Sequence, residues 1–271
     1  MASPFCDERH VRPLSRAVRM NVALVTGGSR GIGAGIVEAL HAAGDAVYFT
    51  YERGAEAAGN LQRRLGDERA VCASCDVADG AALPVLVEAC VARFGRLDVL
   101  VNNAGIYAEN AFDADSYEAW RKNWQRTFAV NLFGAADLAF LAMRVMRRNA
   151  PDSHGTRGRI INVTSRSAHR GELTFADYAA SKAALRNLGK SIARSCARDG
   201  IVAFDVAPGY IQTDMAADAI AADGAHIRGE IPGGRIGTTQ EVARVVAFLA
   251  SGDADYATGT TIDVNGASYV R

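Results

Sequence analysis

The sequence has no excess of charge of either sign and no long apolar stretch. Among its 271 residues, Lys and Arg together number 30 and Asp and Glu together also number 30, so the formal net charge at pH 7 is zero. A protein that binds nucleic acid without regard to sequence relies on a basic surface field, so we expect no nucleic-acid partner. No uninterrupted apolar run approaches the roughly 20 residues of a membrane-spanning helix, so we also expect no membrane partner.

Cysteines are few and scattered, at Cys6, Cys72, Cys75, Cys90 and Cys196. Their number is odd and no secretory apolar segment precedes them, which favours a reducing compartment and therefore a cytoplasmic location. Cys72 and Cys75 have the spacing of some zinc and redox sites, but the chain has no second such pair and no histidine near them in sequence. We therefore predict core thiols and no metal site.

Short apolar runs alternate with segments of helical pattern along almost the whole chain. Residues 1–20 show no apolar period and are predicted to form a flexible N-terminal tail, and 149–158 reads as an exposed loop. Strands buried on both faces and separated by helices predict an α/β fold with a parallel, doubly wound sheet and helices on both faces. The predicted strands are 22–26, 46–51, 70–75, 99–102, 159–163, 202–207 and 261–264, and the predicted helices are 33–43, 55–65, 81–94, 120–148, 176–199 and 239–250.

A glycine-rich segment, TGGSRGIG at 26–33, lies between the first predicted strand and the first predicted helix. Its spacing is GxxxGxG, which differs from the GxGxxG of the general dinucleotide fingerprint. Glycines at such a turn let the backbone approach a pyrophosphate, whose charge the helix N-terminus stabilises. A glycine-rich turn without a ligand is the alternative that this segment alone leaves open.

Lysine is scarce, which makes a motif that requires it informative; it occurs only at Lys122, Lys182 and Lys190. In Tyr178-Ala-Ala-Ser-Lys182 the spacing of four places the phenol and the ammonium on one helical face. A nearby cation favours the phenolate, so we expect the pKa of Tyr178 to lie below the ordinary value of about 10. The pair is a candidate for acid–base chemistry, and a surface cation–aromatic pair is the alternative.

Two further polar residues precede this pair. Ser165 follows the predicted strand 159–163, and Asn131 lies in the predicted helix 120–148. Each alone would indicate only a turn serine or a solvated helical asparagine. Taken together, in order and spacing, the motifs resemble the short-chain dehydrogenase/reductase family; the matching residues are 26–33, 102–105, Asn131, Ser165, Tyr178, Lys182, Pro208, Gly209 and Thr213.

The resemblance spans 21–271 and implies one Rossmann-type domain there. The segments VTGGSRGIG, NNAG, YAASK, APGYIQTDM and TGTTIDVNG are most similar to the 3-oxoacyl-carrier-protein reductases, a branch that also contains many alcohol, sugar and ketone reductases. By resemblance, Tyr178 donates the proton to the substrate carbonyl and Ser165 polarises that carbonyl. Lys182 would hold the nicotinamide ribose and lower the pKa of Tyr178, and Asn131 would hold a water that links Lys182 to solvent.

The resemblance also implies which residues contact the cofactor. Asp76 and Val77 match the positions that contact adenine, 103–105 would pass beneath the adenine ribose, and 208–213 would border the nicotinamide carboxamide. The full set is Gly27, Ser29, Arg30, Gly31, Ile32, Gly33, Arg53, Asp76, Val77, Asn103, Ala104, Gly105, Tyr178, Lys182, Pro208, Gly209, Ile211 and Thr213.

The cofactor expected is NADP(H), with NAD(H) as the alternative. NAD-dependent members usually place Asp at the end of the second strand, where it bonds the ribose 2′-hydroxyl, and this chain has Tyr51 there. Arg30 and Arg53 are available for a 2′-phosphate through charge-assisted bonds. Glu52 opposes this interpretation, because a carboxylate repels that phosphate or itself bonds a ribose hydroxyl.

The expected function is the reduction of a ketone to a secondary alcohol. The resemblance implies that the ketone belongs to a 3-oxoacyl thioester. Reduction or oxidation of another secondary alcohol, sugar or ketone metabolite is the alternative enzyme function, and a dinucleotide sensor without turnover is the alternative outside enzymes. The segment 214–231 reads as a lid with a small apolar surface, and Asp199 stands where carrier-protein reductases tend to have a basic residue. A homotetramer is implied by the resemblance alone.

Overall fold

The computed structural model describes residues 20–271, so the predicted tail lies outside the described residues except for Met20. The strands are β1 (Val22–Val25), β2 (Ala46–Tyr51), β3 (Ala70–Ser74), β4 (Val99–Asn102), β5 (Gly158–Val163), β6 (Ile201–Pro208) and β7 (Thr261–Val264). The α-helices are α1 (Gly31–Ala42), α2 (Ala55–Leu65), α3 (Ala82–Phe94), α4 (Tyr117–Phe128), α5 (Gly134–Met146), α6 (Ser167–Arg170), α7 (Ala176–Cys196), α8 (Asp214–Gly229) and α9 (Thr239–Ser251).

The strands form one parallel sheet in the order β3-β2-β1-β4-β5-β6-β7. This confirms the doubly wound α/β fold expected from the alternating pattern. The chain runs outwards from β1 in one direction and then returns to β4 to run outwards in the other. In such sheets a crevice for ligands opens at the carboxyl ends of the two strands where the order reverses, here β1 and β4.

Helices cover both faces of the sheet. In β1, Val22 and Leu24 point to one buried cluster, and Ala23 and Val25 point to the other. Helices α3, α5 and α7 pack on the first face, whereas α1, α2 and α9 pack on the second. This burial on both sides explains why the strands read as continuous apolar runs in the sequence.

Three polar side chains form a row across the buried middle of the sheet. Asn102 of β4 lies opposite Asn162 of β5, which lies opposite Asp205 of β6. Asn102 Nδ2 donates to Asn162 Oδ1 at 3.0 Å, and Asn162 Nδ2 donates to Asp205 Oδ1 at 3.0 Å. Burial raises the pKa of Asp205 to about 7. This row aligns three strands just before the loops that leave their carboxyl ends.

The predicted loop 149–158 lies at the amino ends of the strands, opposite the carboxyl ends, and ion pairs anchor it to the sheet. Buried Arg159 lies 2.6 Å from Asp152 of the loop and 2.6 Å from Asp255, which precedes β7. Thr156 donates to the same Asp255 at 2.6 Å and is itself buried. Half of the loop is exposed, so the predicted exposure is met only in part, because this ion-pair cluster anchors the loop.

The predicted helix 120–148 is a continuous helical stretch that begins three residues earlier and contains a π-helical turn, Ala129–Phe133, between α4 and α5. Within the described part of the chain, Tyr117–Met146 is the one helix with the length and apolar composition of a membrane-spanning segment, although it contains no long uninterrupted apolar run. Leu138, Ala142 and Met146 of this helix are buried against the sheet. Their burial shows that this stretch of helix contributes to the core of the fold.

Candidate active site

The structure brings the predicted site residues to the carboxyl edge of the sheet. They follow β1, β2, β3, β4, β5 and β6, with additions from the π-helical turn and from the first turns of α7. This is the edge at which the strand order reverses between β1 and β4. The sequence motifs are therefore parts of one region in space.

The glycine-rich segment needs its glycines for close packing. Gly27 has φ +65°, and a Cβ there would lie 3.1 Å from the Cα of Ala104. A Cβ on Gly33 would lie 2.0 Å from the carbonyl oxygen of Gly27, which no side chain tolerates. A hydrogen bond anchors the loop to β2, since Gly28 N donates to Thr50 O at 2.8 Å. The tight turn expected from the sequence is present.

The helix that follows this turn has free N–H groups at its start. Arg30 occupies the N-cap of α1 without a capping hydrogen bond from its side chain, and the first turn of the helix has no acidic residue. The unpaired N–H groups and the helix dipole favour an anion at this position. Together with the glycine packing, this geometry fits a dinucleotide pyrophosphate.

The β4 loop crosses beneath the glycine-rich turn. Asn103 Nδ2 donates to Thr26 O at 2.9 Å and to Gly27 O at 3.0 Å. Thr26 Oγ1 accepts from Asn103 N at 3.0 Å and from Ala104 N at 2.9 Å. The hydrogen bonds fix the two loops to each other, and a Cβ on Gly105 would lie 3.3 Å from Lys182 Nζ. The loop thus connects the glycine-rich turn with the Tyr–Lys pair.

Tyr178 and Lys182 share one face of α7, as the spacing predicted. Burial raises the pKa of Tyr178, and hydrogen bonding with Ser165 opposes this rise without reversing it. The prediction that the pKa of Tyr178 lies below its ordinary value is therefore wrong in this structure. The ammonium lies 5.9 Å from the ring centroid of Tyr178 and donates to Val163 O at 2.8 Å. Burial lowers the pKa of Lys182 to about 8.

Asn131 is buried rather than solvated. Its Oδ1 accepts from Ile106 N at 2.9 Å, and its Nδ2 donates to Ile106 O at 3.1 Å and to Ser181 Oγ at 3.0 Å. The π-helical turn places it there, and such turns are frequent at functional sites. A Cβ on Gly105 would lie 3.4 Å from Asn131 Oδ1. Asn131 and Lys182 therefore border the same glycine.

Asp177 is a buried residue of this region that the sequence motifs did not single out. Its Oδ2 accepts from Thr127 Oγ1 at 2.8 Å and from Asn110 Nδ2 at 3.3 Å, and its Oδ1 accepts from Tyr178 N at 2.9 Å. The carboxylate thus joins the start of α7 to α4 and to the β4 loop. It holds Tyr178 in place from behind.

Charged side chains gather where β2 and β3 end. Arg126 of α4 donates to Glu52 at 3.1 Å and to Asp76 at 3.0 Å, while Arg53 reaches Glu52 only at 4.0 Å and is 83% exposed. The hydrogen bonds from Ala78 N and Arg126 lower the pKa of Asp76, although burial acts in the opposite direction as the largest single influence. Sequence reasoning missed Arg126, because no local pattern ties residue 126 to the ends of distant strands.

The β6 loop and α8 border the other side of the crevice. Thr213, the N-cap of α8, faces Gly31, where a Cβ would lie 3.4 Å from Thr213 Cγ2. Gly209 packs against Asn265, which leaves no room for a side chain there. Ile211 and Val77 are buried in the core, so only their backbone is available to a ligand.

The predicted lid 214–231 is mostly helix. Helix α8 is interrupted at Asp223, whose φ of −146° and ψ of 43° are not helical. Ile227 and Ile231 form a small buried cluster with Ile236, against which Tyr210 packs. The side chains of Met215 and Ile220 lie outside the described residues. At the C-terminal end of the lid, the apolar side chains are thus buried in the protein.

These elements define a class of protein. A doubly wound sheet with a glycine-rich turn at the point of strand reversal, and a Tyr–Lys pair beside it, has the architecture of a nicotinamide-dependent oxidoreductase. Comparisons with known proteins agree. A family model described as "Enoyl-(Acyl carrier protein) reductase" matches residues 27–267. The chain belongs to the short-chain dehydrogenase/reductase family.

Relatives match over nearly their whole length. The chain is 39% identical to "3-oxoacyl-[acyl-carrier-protein] reductase" of Escherichia coli K12 over 92% of this chain and 97% of the relative. It is 37% identical to "Acetoacetyl-CoA reductase" of Rhizobium meliloti over 92% and 98%. The solved "Short-chain dehydrogenase/reductase SDR:Glucose/ribitol dehydrogenase" of Brucella melitensis superposes with a TM-score of 0.84 at 30% identity, covering 93% and 97%.

Proposed function

We propose that this chain reduces the ketone of a 3-oxoacyl thioester with NADPH. The observation that carries the proposal is the convergence of Asn131, Ser165, Tyr178 and Lys182 at one end of the crevice. Two relatives at 37% and 39% identity bear the names of reductases of 3-oxoacyl thioesters, which supports the substrate class. The retained acid–base set argues against a sensor without turnover.

The proposed reaction uses Tyr178 as the acid. Its phenol keeps its proton because burial raises its pKa, and it donates that proton to the carbonyl oxygen of the substrate. The Ser165 hydroxyl donates a second hydrogen bond to the same oxygen, where negative charge develops. Nicotinamide, when bound, supplies the hydride for the carbonyl carbon.

Lys182 and Asn131 complete the proposed machinery. The Lys182 ammonium would hold the nicotinamide ribose, and its charge stabilises the phenolate that Tyr178 becomes after donating its proton. Asn131 Oδ1 and Lys182 Nζ both lie beside Gly105, and a water is proposed to bridge them there. Such a water would return a proton from solvent after each turnover.

Cofactor choice is proposed from charges at the ends of β1 and β2. Arg30 and Arg53 would take the 2′-phosphate of NADPH, since both are exposed beside the crevice. Arg126 hydrogen bonds to Glu52 and so offsets the carboxylate that would repel this phosphate. Asp76 and Val77 would contact adenine, and Asn103, Ala104 and Gly105 its ribose.

The remaining contacts proposed for the cofactor come from the two loops that border the crevice. The β1 loop would bind the pyrophosphate and the β6 loop the nicotinamide carboxamide. These residues are Gly27, Ser29, Gly31, Ile32 and Gly33 in the first loop and Pro208, Gly209, Ile211 and Thr213 in the second.

A second copy of this chain is the proposed protein partner, and a homotetramer the proposed assembly. Aromatic side chains contact one another along α4 and the π-helical turn, from Tyr117 through Trp120, Trp124 and Phe128 to Phe133. Tyr117, Phe133 and also Phe140 of α5 are exposed. Exposed apolar side chains grouped in this way are typical of protein interfaces.

The four described cysteines are free, which supports a cytoplasmic location.

A second candidate function is the interconversion of another ketone or sugar with its alcohol. The Brucella structure, with the same fold at 30% identity, is named a glucose/ribitol dehydrogenase, which favours this candidate. The family model's description, in turn, names enoyl reduction. Enoyl reduction acts on a C=C bond, whereas the other two candidates interconvert C=O with C–OH and differ in the molecule that carries it, so one assay set separates the three.

The decisive experiment measures NADPH oxidation by the purified protein with acetoacetyl-CoA, crotonyl-CoA and a panel of simple ketones, and NADP⁺ reduction with ribitol and glucose. We expect acetoacetyl-CoA to be reduced and crotonyl-CoA to be inert. Turnover of ketones or sugars with an inert acetoacetyl-CoA at millimolar concentration would replace the proposal with the second candidate. Turnover of crotonyl-CoA alone would replace it with enoyl reduction.

A further inference from the structure

Arg166 directly follows Ser165 and is buried beside the crevice. Only 4% of its surface is exposed, which is unusual for arginine unless the side chain is paired. Its backbone N–H donates to Pro208 O at 3.0 Å, so the residue lies between the β5 and β6 loops. Arg166 is therefore held next to the candidate catalytic serine, between two loops that border the crevice.

The partners of Arg166 among the described residues do not satisfy its guanidinium. The group lies 4.1 Å above the ring of Tyr210, and Nη2 lies 3.8 Å from Glu230, beyond hydrogen-bonding distance. Nη1 is buried and has no hydrogen-bond partner in the described part of the chain. A buried donor without a partner costs about 1–3 kcal/mol, so the fold tolerates a deficit here.

The surroundings of Arg166 are those of the candidate acid. Tyr107 lies edge-on to Tyr178 with ring centroids 4.8 Å apart. Burial raises the pKa of Tyr107, as do Glu172, Tyr178 and Tyr210, whereas the charge of Arg166 lowers it. Ser165, whose hydroxyl hydrogen bonds with Tyr178, is the residue directly before Arg166, so Arg166, Tyr107 and Tyr178 border the same end of the crevice.

We infer that Arg166 is a substrate-binding residue that donates to a second oxygen of the substrate, next to the carbonyl that is reduced. This inference rests on the proposed function. A 3-oxoacyl thioester carries such an oxygen two carbons from its ketone, and a simple ketone carries none. The rigid fork of arginine donors suits a carbonyl or carboxylate acceptor. Arg166 would thus select β-dicarbonyl substrates over mono-ketones.

The test compares ethyl acetoacetate, which has the second oxygen, with 2-heptanone, which has similar length and lacks it. In the wild type we expect a higher kcat/KM for ethyl acetoacetate. Arg166→Met should lower the ratio of the two kcat/KM values by about tenfold or more, as expected for a charge-assisted bond. Arg166→Lys should retain part of the preference, because it keeps a donor.

A second measurement does not depend on turnover. Calorimetry with the NADP⁺-loaded protein should show ethyl acetoacetate binding about tenfold more weakly to Arg166→Met than to wild type, with NADP⁺ affinity unchanged. The melting temperature of Arg166→Met should equal or exceed that of wild type, since a buried donor without a partner is removed. Arg170→Met, four residues further on and exposed, is the matched control and should change none of these quantities.

An equal loss for both substrates in Arg166→Met, or a lowered melting temperature with an unchanged ratio, would assign Arg166 a structural role and overturn the inference. A wild type that shows no preference for ethyl acetoacetate over 2-heptanone would overturn it as well. The proposed function fails separately, if the wild type reduces ethyl acetoacetate but leaves acetoacetyl-CoA inert. In that case the role of Arg166 is still decided by the ratio.

Discussion

The two ends of the crevice differ in the burial and hydrogen bonding of the side chains that form them. At the adenosine end, the glycine-rich turn is shaped by backbone packing, and its charges, Arg53, Glu52 and Arg126, lie at the surface. At the opposite end, Lys182 and Asp177 are buried and hydrogen bonded. The adenosine end therefore carries exposed charged side chains on a closely packed backbone turn. The opposite end carries a buried network of hydrogen-bonded polar side chains.

The difference predicts where substitutions are tolerated. Exposed ion pairs contribute about 0–1 kcal/mol to stability, so charges at the adenosine end can change with little effect on folding. A buried polar group that loses its partner costs about 1–3 kcal/mol, so the catalytic end resists change. Cofactor preference should accordingly be easy to alter, and the acid–base machinery difficult to alter.

The largest effect is expected for Tyr178→Phe. Loss of the phenol removes the proposed proton donor, which should lower kcat with acetoacetyl-CoA, or with the best ketone found, by at least about a hundredfold. NADPH affinity and melting temperature should stay near the wild-type values. Tyr117→Phe, at an exposed position of α4, serves as the control. Near-normal turnover of Tyr178→Phe would disprove the proposed mechanism.

Asp177→Ala should have the next largest effect, on stability. Its loss removes the carboxylate that accepts from Thr127 and from the N–H of Tyr178, and it leaves Asn110 Nδ2 with Trp120 O alone, which should lower the free energy of unfolding in urea by at least about 2 kcal/mol. Asp113→Ala, at an exposed position, should change it by less than about 0.5 kcal/mol. Similar stabilities for the two variants would show that the network at the catalytic end is not stiffer than the surface.

The pH dependence should report Lys182. Burial lowers its pKa to about 8, so the ammonium is present below this pH and is lost as the pH rises through it. We expect kcat/KM for ketone reduction to fall above pH 8, towards about a tenfold loss per pH unit. Lys182→Met should abolish this decline, and Lys190→Met, exposed on the same helix, should preserve it. A wild-type profile that stays flat to pH 10 would contradict the assignment.

The smallest effect is expected at the adenosine end. Wild-type kcat/KM should be higher with NADPH than with NADH, and Arg53→Ala should reduce this preference by about tenfold, because a charge-assisted contact is lost. Melting temperature should not change, since Arg53 is 83% exposed. Arg64→Ala, which removes an exposed arginine paired with Glu38, is the control. A wild-type preference for NADH would show that Glu52, not Arg53, dominates the pocket.

Much of this architecture was predictable because it depends on local patterns. Period and turn residues placed the strands within one or two residues, and the fixed spacing of Tyr178 and Lys182 placed both on one helix face. The glycines at 27 and 33 were predictable because a tight turn at a strand end requires them.

Other features depend on contacts between distant segments and leave no local pattern. The π-helical turn that buries Asn131, the acceptors that surround Arg126, and the burial of Arg166 arise only once the loops are packed together. The pKa of Tyr178 belongs to the same group. Helix spacing predicts the neighbouring cation, but burial of the phenol, which raises its pKa, is a property of the assembled crevice.

The row of Asn102, Asn162 and Asp205 has a consequence for protein engineering. A shift of one strand by a single residue would move its side chains by about 3.3 Å and turn them to the opposite face, so the row would lose its hydrogen bonds. The row therefore fixes the register of three strands. We therefore expect that loops beyond it, including those that carry Gly105, Ser165 and Gly209, can be exchanged with loops of relatives while the strand ends that support them stay in place.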